Sequence, residues 1–234
     1  AVASELTPGI LTPVPKAGGG SAITGSVEFD GTGDYLYLDG SSDFTFGTGD
    51  FTIEGLFYFS KGSLNDDSID PNLIDFRPAT TNGLYPSIQY DSSADNLRYY
   101  VSSANRIDGG ILSEESWHHI AVARSGTSTK MFVNGLQVGS TYSDSNNYAV
   151  GANRPIIGSQ GYSAGTDTRR VKGFISNVRV IKGTALYTDN FIPPTRELKK
   201  VPGTVLLCCQ DSNDPTTEAT GKTITGYGDL QRAD

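Results

Sequence analysis

Residues 50–59, which read DFTIEGLFYF, decide the fold class of this chain. Alternation along an extended strand puts four apolar side chains on one face: Phe51, Ile53, Phe57 and Phe59. Such a run is rich in β-branched and aromatic residues and is bounded by turn-forming residues, which is typical of a strand. We therefore expect a β-strand with one face on a hydrophobic core.

Similar runs recur on both sides of this strand, separated by turns rich in Gly, Pro, Ser and Thr. They are SVEFD (26–30), DYLYLD (34–39), LYPSIQY (84–90), LRYYVS (97–102), WHHIAVAR (117–124), KMFVNGLQVGS (130–140), RPIIGS (154–159), VKGFISNVRVI (171–181) and TVLLCCQ (204–210). The run at 117–124 is apolar on both faces, which predicts a central, doubly covered strand. Asn134-Gly135 predicts a two-residue hairpin turn, because both positions need positive φ.

These patterns predict an all-β chain that forms a two-sheet antiparallel sandwich, since many short strands with frequent turns are typical of sandwiches and barrels. No run predicts an amphipathic helix. Three parts are expected. Residues 1–25 form an extended Pro/Gly-rich arm, 26–210 form the sandwich, and 211–234 form a polar tail that could add one strand.

Composition excludes several classes of partner. The chain carries 18 basic and 26 acidic side chains, a net charge of −8, which argues against nucleic acid because phosphate binding needs clustered Lys and Arg. The densest basic cluster, Arg169, Arg170 and Lys172, is expected to be a solvated loop. No apolar run suits a membrane span, and the first residues do not predict a secretory signal.

The two cysteines, Cys208 and Cys209, are sequence neighbours. Alternation along a strand would point them to opposite faces, so a disulfide between them would be strained. We expect reduced, structural thiols, which fits synthesis in a reducing cytoplasm.

Five pieces, taken together and in order, resemble a concanavalin A-like jelly roll of the laminin-G-like kind. They are VEFDGTGDYLYL (27–38), FTFGTGDFTIEGLFYF (44–59), SWHHIAVAR (116–124), KMFVNGLQVGS (130–140) and GFISNVRVIKGTALYT (173–188). The stretch TALYTDNFIPPTRELKKVPGTVLLCCQ (184–210), followed by TGKTIT (220–225), is similar to a variant found in virion structural proteins of marine, cyanophage-like tailed phages. The resemblance implies two stacked antiparallel sheets.

Some folds of this kind are glycoside hydrolases, and retaining cleavage needs two carboxyl groups about 5–5.5 Å apart. A strand with the spacing E-x-D-x-x-E would supply them, and this sequence has none. Glu54 stands alone in its strand, and Glu114-Glu115 falls in a predicted turn. His118 and His119 are neighbours that would point opposite ways and are expected to pack in the core. We therefore expect no catalytic residues and a protein that is not an enzyme.

Calcium is the one ion that the sequence suggests. Asp30 and Asp34 lie in a tight glycine turn, and hard oxygen ligands on a loop suit this ion. The resemblance implies a structural calcium where this turn meets the penultimate strand, with Asn177 at a position where the family often has Asp. That difference removes one charge. The alternative is that both aspartates only cap turns.

Sugar binding would need exposed aromatic rings. Tyr85 and Tyr90 in predicted strands and Tyr162 in a loop are the candidates, although tyrosine is also common on half-buried sandwich surfaces.

The apolar side chains Ile10, Leu11 and Val14 in the arm have nothing of their own to pack against, which predicts a partner surface. The leading hypothesis is a non-enzymatic virion protein of the particle surface, made in the host cytoplasm. It would attach through the arm, occur in several copies or as a homo-oligomer among other virion proteins, and present a lectin-like sandwich. The alternatives are a carbohydrate-binding adhesin module and a glycoside hydrolase of the same fold.

Overall fold

The computed structural model describes residues 22–65, 70–152, 154–164 and 169–230. Within these ranges the strands are β1 (Val27–Asp30), β2 (Tyr35–Leu38), β3 (Phe51–Phe59), β4 (Asn72–Asp75), β5 (Ser87–Asp91), β6 (Asn96–Val101), β7 (Ala104–Gly109), β8 (Trp117–Ser125), β9 (Ser128–Val133), β10 (Leu136–Ser143), β11 (Ile156–Ile157), β12 (Lys172–Lys182), β13 (Thr204–Cys208) and β14 (Ile224–Tyr227). A 3₁₀ turn covers Ser42–Phe44. No helix in the described part of the chain is long and apolar enough to cross a membrane.

The strands form two seven-stranded antiparallel sheets in the described residues, which confirms the predicted sandwich. Sheet I has the order β1-β12-β3-β8-β9-β10, and β13 pairs with β12 as well. β12 is long enough to hold β1 along its first half and β13 along its second. Sheet II has the order β14-β2-β11-β4-β5-β6-β7.

The core lies between the two sheets. The predicted inward face of β3 is confirmed: Phe51, Ile53, Phe57 and Phe59 all belong to the main buried cluster. The opposite face of sheet I is covered by the segment 183–200, which has no regular secondary structure and is called the strap below. Its covering of β8 confirms the prediction that this strand is buried on both sides.

The Asn134-Gly135 turn joins β9 and β10 as predicted, with φ of 50° and 79° at the two residues. A Cβ atom on Gly135 would lie 2.0 Å from the carbonyl oxygen of Phe191 in the strap. Glycine is therefore required here both for the backbone conformation and for the approach of the strap.

The sandwich extends beyond the predicted boundaries in the described residues. Residues 22–25, expected in the arm, already contact it: Ile23 packs beside Trp117, and Ser176 donates a hydrogen bond to the carbonyl of Gly25. At the other end, β14 adds an edge strand to sheet II from the predicted tail. The partner-binding candidates Ile10, Leu11 and Val14 lie outside the described residues.

The expectation that Cys208 and Cys209 face opposite sides is wrong. Both lie in the main buried cluster as free thiols, with their Sγ atoms 3.8 Å apart. The reason is that β13 ends at Cys208, and Cys209 takes a left-handed backbone conformation with φ of 59°. Strand alternation does not continue through such a residue.

Candidate functional site: a tyrosine pocket and a carboxylate cluster

The outer face of sheet II carries a group of tyrosine rings. Alternation in β2 sends Leu36 and Leu38 into the core and leaves Tyr35 and Tyr37 on the outer face. β14 places Tyr227 directly opposite Tyr35, and the two rings stack with centroids 4.6 Å apart. Tyr37 meets the same Tyr227 ring edge-on at 5.9 Å. Both arrangements are favourable for aromatic pairs, so they fix the ring positions.

These rings form one wall of a recess of about 400 Å³, called the tyrosine pocket below. Its principal lining residues are Tyr35, Tyr37, Arg154, Ile156, Tyr162 and Tyr227. The volume lies in the range of about 300–1,000 Å³ that small-molecule sites occupy, and the lining combines apolar rings with a few polar groups.

A buried polar network positions the other wall of the pocket. Arg154 donates from Nε to the carbonyl of Arg77 and from Nη2 to that of Gly161, both at 2.5 Å. Asp75 accepts from the Gly161 amide at 2.8 Å and pairs with Arg77 at 2.6 Å. Burial lowers the pKa of Arg154, and the nearby Asp75 charge works against that shift. The loop that carries Tyr162 is thus tied to β4 by hydrogen bonds between buried groups, which favour a fixed geometry.

The three tyrosines predicted to bind sugar lie in three different environments in the structure. Tyr162 lines the tyrosine pocket. Tyr90 is a core residue, 1% exposed, whose burial raises the pKa of its hydroxyl to about 12, so its assignment to a surface site is wrong. Tyr85 is half-buried and packs against the main core rather than lining the pocket.

Some of the pocket residues that the sequence analysis missed could have been found from the local sequence pattern, and others could not. DYLYLD alternates, and that alternation could have assigned the two tyrosines of β2 to one face opposite two core leucines. Tyr227 carried no local signal, because its position depends on the pairing of β14 with β2.

A cluster of carboxylates lies beside the pocket, at the turn between β1 and β2. Carboxylate oxygens of Asp30, Asp34 and Asp229 lie within 4.8 Å of one another. Asp34 is fully buried and accepts hydrogen bonds from the backbone amides of Asp30 at 2.9 Å and Asp229 at 3.0 Å. Asp30 caps its own turn by accepting from the Thr32 amide. Burial, reinforced by the two neighbouring charges, raises the pKa of Asp34 to about 6.

Asn177 does not join this cluster, so its assignment beside Asp30 and Asp34 is wrong. Its Oδ1 accepts from the amide of Leu198 in the strap and from the side chain of Gln210. Asp30 pairs with Lys172, so Asn177 lies five positions further along β12, about 16 Å away at about 3.3 Å per residue. Asp229, from the predicted tail, supplies the third carboxylate instead.

The donor set of the cluster fits calcium. Three carboxylates supply hard oxygen ligands, with no nitrogen or sulfur ligand among them. A divalent cation would also relieve the repulsion that raises the pKa of Asp34. The two aspartates of the β1–β2 turn do act as turn caps, and this capping leaves further lone pairs on each carboxylate.

The residues weighed for catalysis are engaged in structural contacts. Glu54 is 2% exposed, receives two hydrogen bonds from Arg179 at 2.6 and 2.9 Å, and meets His119 Nε2 at 3.0 Å. Burial by itself would raise the pKa of Glu54, but the His119 hydrogen bond and the Arg179 charge outweigh it and hold the pKa below its usual value. A carboxyl group that is ionised and enclosed in this way is poorly suited to donate a proton to a substrate.

The other two candidates lie apart from this group. Glu114 accepts from the backbone amides of Gly62 and Leu64 in a loop. His118 is buried and contacts the Ser113 carbonyl at 2.9 Å, and burial lowers its pKa.

Comparison with known proteins identifies the family to which the chain belongs. The laminin-G-type family model described as the concanavalin A-like lectin/glucanases superfamily matches residues 30–187, more than half of the chain. The chain belongs to the concanavalin A-like lectin/glucanase superfamily. The matched residues of this superfamily member include β2 and the loop of Tyr162, whereas Tyr227 and Asp229 lie beyond them.

Several solved structures are similar to the chain at low sequence identity. A proposed carbohydrate-binding protein from Bacteroides ovatus is 17% identical with a TM-score of 0.63, over 91% of this chain and 61% of its own length. The chain thus spans about three fifths of that protein. Mouse laminin α1 domains LG4-5 are 15% identical with a TM-score of 0.47, and the match covers 76% of this chain and 48% of the laminin chain. Trypanosoma rangeli sialidase is 11% identical with a TM-score of 0.44, and the match covers 60% of this chain and 21% of the sialidase. No curated protein matches the chain significantly.

Proposed function

We propose that this chain is a non-enzymatic glycan-binding module and that the tyrosine pocket holds the sugar. The observation that carries the proposal is the stacked Tyr35–Tyr227 pair, which shares one recess with Tyr162 and Arg154. The apolar face of a pyranose ring can pack on such rings, while its hydroxyls bond to tyrosine hydroxyls and backbone groups. The proposed carbohydrate binding of the Bacteroides protein, which has the same fold, agrees with this proposal.

The test is binding of a glycan panel, measured by array and then by calorimetry. Tyr227→Ala should abolish binding, because it removes half of the stacked pair, while Tyr227→Phe should retain it. The side chain of Tyr227 is 43% exposed, so the change should leave the fold intact. The control is Tyr90→Phe, which removes the hydroxyl of a core tyrosine outside the pocket. Binding that survives Tyr227→Ala would refute the proposal.

The non-enzymatic part of the proposal rests on the enclosure of Glu54 between Arg179 and His119. Incubation of the purified protein with the polysaccharides that it binds should release no reducing ends. Release that disappears in Glu54→Gln would establish a hydrolase instead.

The setting that we propose is the surface of a tailed-phage particle, where several copies would present the sandwich among other virion proteins. Its support is the similarity of residues 184–210 and 220–225 to such proteins, together with the Pro/Gly-rich composition of residues 1–21. Deletion of residues 1–20 should leave the melting temperature almost unchanged and prevent incorporation into particles. A truncated protein that is still incorporated normally would refute the role of this segment.

We also propose that Asp30, Asp34 and Asp229 hold a structural calcium ion. The close approach of three carboxylates with one of them buried supports this proposal. The ion would link the β1–β2 turn to the residue after β14, and thereby stabilise one edge of the tyrosine pocket. Because an ion bound only to the folded chain stabilises it by mass action, a chelator should lower the melting temperature.

A further inference from the structure

A second recess lies beside the turn that leads into Tyr35. Its volume is about 190 Å³, and its lining includes Asp30, Ser63, Arg170 and Lys172; it is called the basic recess below. This volume is below the range of about 300–1,000 Å³ typical of sites for whole ligands. It suits a single substituent better than a sugar ring.

Two polar atoms at this recess are buried without a hydrogen-bond partner in the described part of the chain, namely Ser63 Oγ and Arg170 Nε. Ser63 is 2% exposed, so its hydroxyl has little access to bulk solvent. Native proteins satisfy roughly 90% or more of such groups. Both atoms can donate a hydrogen bond to an acceptor that enters the recess.

The lining of the recess contains two positive side chains, beside the carboxylate cluster described above. Arg170 and Lys172 supply two positive charges, and Asp30, whose carboxylate lies within 4.8 Å of those of Asp34 and Asp229, supplies a negative charge. Asp30 and Lys172 face each other as a cross-strand pair in sheet I, which offsets these two charges against one another. Arg170 lies opposite Ser159, so it has no carboxylate as its cross-strand neighbour. The more distant acidic residues behind the net charge of −8 act weakly on the recess, because charges more than about 8 Å apart are largely screened at physiological ionic strength.

The basic recess and the tyrosine pocket are neighbours. Arg170 forms an antiparallel bridge with Ser159, two residues past β11, and β11 supplies Ile156 to the tyrosine pocket. Burial and Tyr227 raise the pKa of Tyr35, while the charges of Arg170 and Arg154 act to lower it. The two arginines therefore act on one ring of the tyrosine pocket.

We propose that the basic recess binds the anionic substituent of an acidic glycan, a carboxylate or a sulfate ester, while an adjoining ring of the same glycan occupies the tyrosine pocket. This inference rests on the proposed glycan binding and adds the class of glycan. Both substituents present several acceptor oxygens, and a guanidinium binds such groups through charge-assisted hydrogen bonds.

The experiment uses two matched pairs of oligosaccharides with the full chain. Oligogalacturonate is compared with its methyl ester, and a sulfated galactan oligosaccharide with its desulfated form. Affinities come from calorimetry. Backbone amide shifts of residues 62, 63 and 172 report on the basic recess, and those of residues 35, 37 and 227 report on the tyrosine pocket. The variant is Arg170→Gln, and the control is Lys199→Gln, which removes one positive charge from a lysine that is 63% exposed on the strap.

In at least one of the two pairs, the charged oligosaccharide should bind about tenfold or more tightly than the neutral one. This is the factor expected for hydrogen bonds to a charged group. Arg170→Gln should erase that preference and leave the affinity for the neutral partner unchanged, while Lys199→Gln should alter neither. Ser63→Ala should weaken the charged ligand alone. A preference in only one pair supports the proposal and identifies the substituent.

Three results would overturn the inference. Equal affinities within both pairs, with shifts at the tyrosine pocket, would remove the acidic-glycan class and keep the proposed function. A charge preference that persists in Arg170→Gln would place recognition of the anion elsewhere. No shift at either place would overturn both proposals.

Discussion

Asp34 should make the stability of the sandwich fall as pH rises. Burial, with repulsion from Asp30 and Asp229, raises its folded-state pKa to about 6, against 3.8 for the unfolded chain. Between these two values the folded chain holds more protons at this site than the unfolded chain does, so rising pH lowers the free energy of unfolding. The gap of about 2 pKa units corresponds to about 3 kcal/mol, at about 1.36 kcal/mol for each unit.

The perturbation that isolates this effect is Asp34→Asn, which keeps the size of the side chain and removes its titration. Losing one acceptor for the amides of Asp30 and Asp229 lowers stability by an amount that does not depend on pH in this range. Urea unfolding in the presence of a chelator, followed by the fluorescence of the single tryptophan, Trp117, gives both free energies. The stability of the native chain minus that of the variant should drop by about 3 kcal/mol between pH 3.5 and pH 7.

A difference that stays constant across this range would refute the reasoning about Asp34. Millimolar calcium at pH 7 should restore most of the lost stability in the native chain and have little effect on Asp34→Asn. If calcium changes neither protein, the ion proposal is wrong, while the pH dependence remains as a separate result.

Three further predictions concern single positions. Gly135→Val should lower the free energy of unfolding by about 2–4 kcal/mol, because the position requires a positive φ that valine disfavours and the new side chain meets the Phe191 carbonyl; an unchanged urea midpoint would contradict the turn geometry. Glu54→Gln should lower the free energy of unfolding by about 3–5 kcal/mol, because it leaves a buried guanidinium without its counter-ion, and a loss below about 1 kcal/mol would show that the fold does not need this ion pair. Gly228→Ala should displace Asp34, since the added Cβ would lie 2.1 Å from its Oδ1, and a calcium-dependent melting temperature that persists would contradict this.

The parts of the fold that could be predicted are those in which local pattern and tertiary burial agree. β3 alternates correctly across Gly55 because its inner face lies on the core throughout, and the Asn134-Gly135 turn has only one common solution in a hairpin. β4 and β7 were not among the predicted strands, whereas β14 is the one strand that the tail was expected to be able to add. β7 is weakly apolar, with Ile107 as its one member of the main core cluster, so its pattern resembles that of a loop.

The candidate site was less predictable than the fold, because its residues come together only through long-range pairing. Tyr35 and Tyr227 are opposite each other through the β2–β14 register, and Asp229 reaches Asp34 through the same pairing. The resemblance suggested Asn177 as a third ligand, but the bulge in β12 turns this residue toward the strap. Tyr90 was selected for its residue type, but it lies two residues from Ile88 on the core-facing side of β5, and both belong to the main buried cluster.

The β2–β14 pairing also has a kinetic consequence. The meander β8-β9-β10 joins strands that follow one another in the chain, so these contacts close short loops and can form early. By contrast, Leu38 pairs with Ile224, which closes a loop of most of the chain and costs more entropy. The tyrosine pocket should therefore form late, after most of the sandwich is in place. A chain cut before Ile224 would retain most strands and lack the stacked wall, so the ability to bind a sugar would report that the last strand has docked.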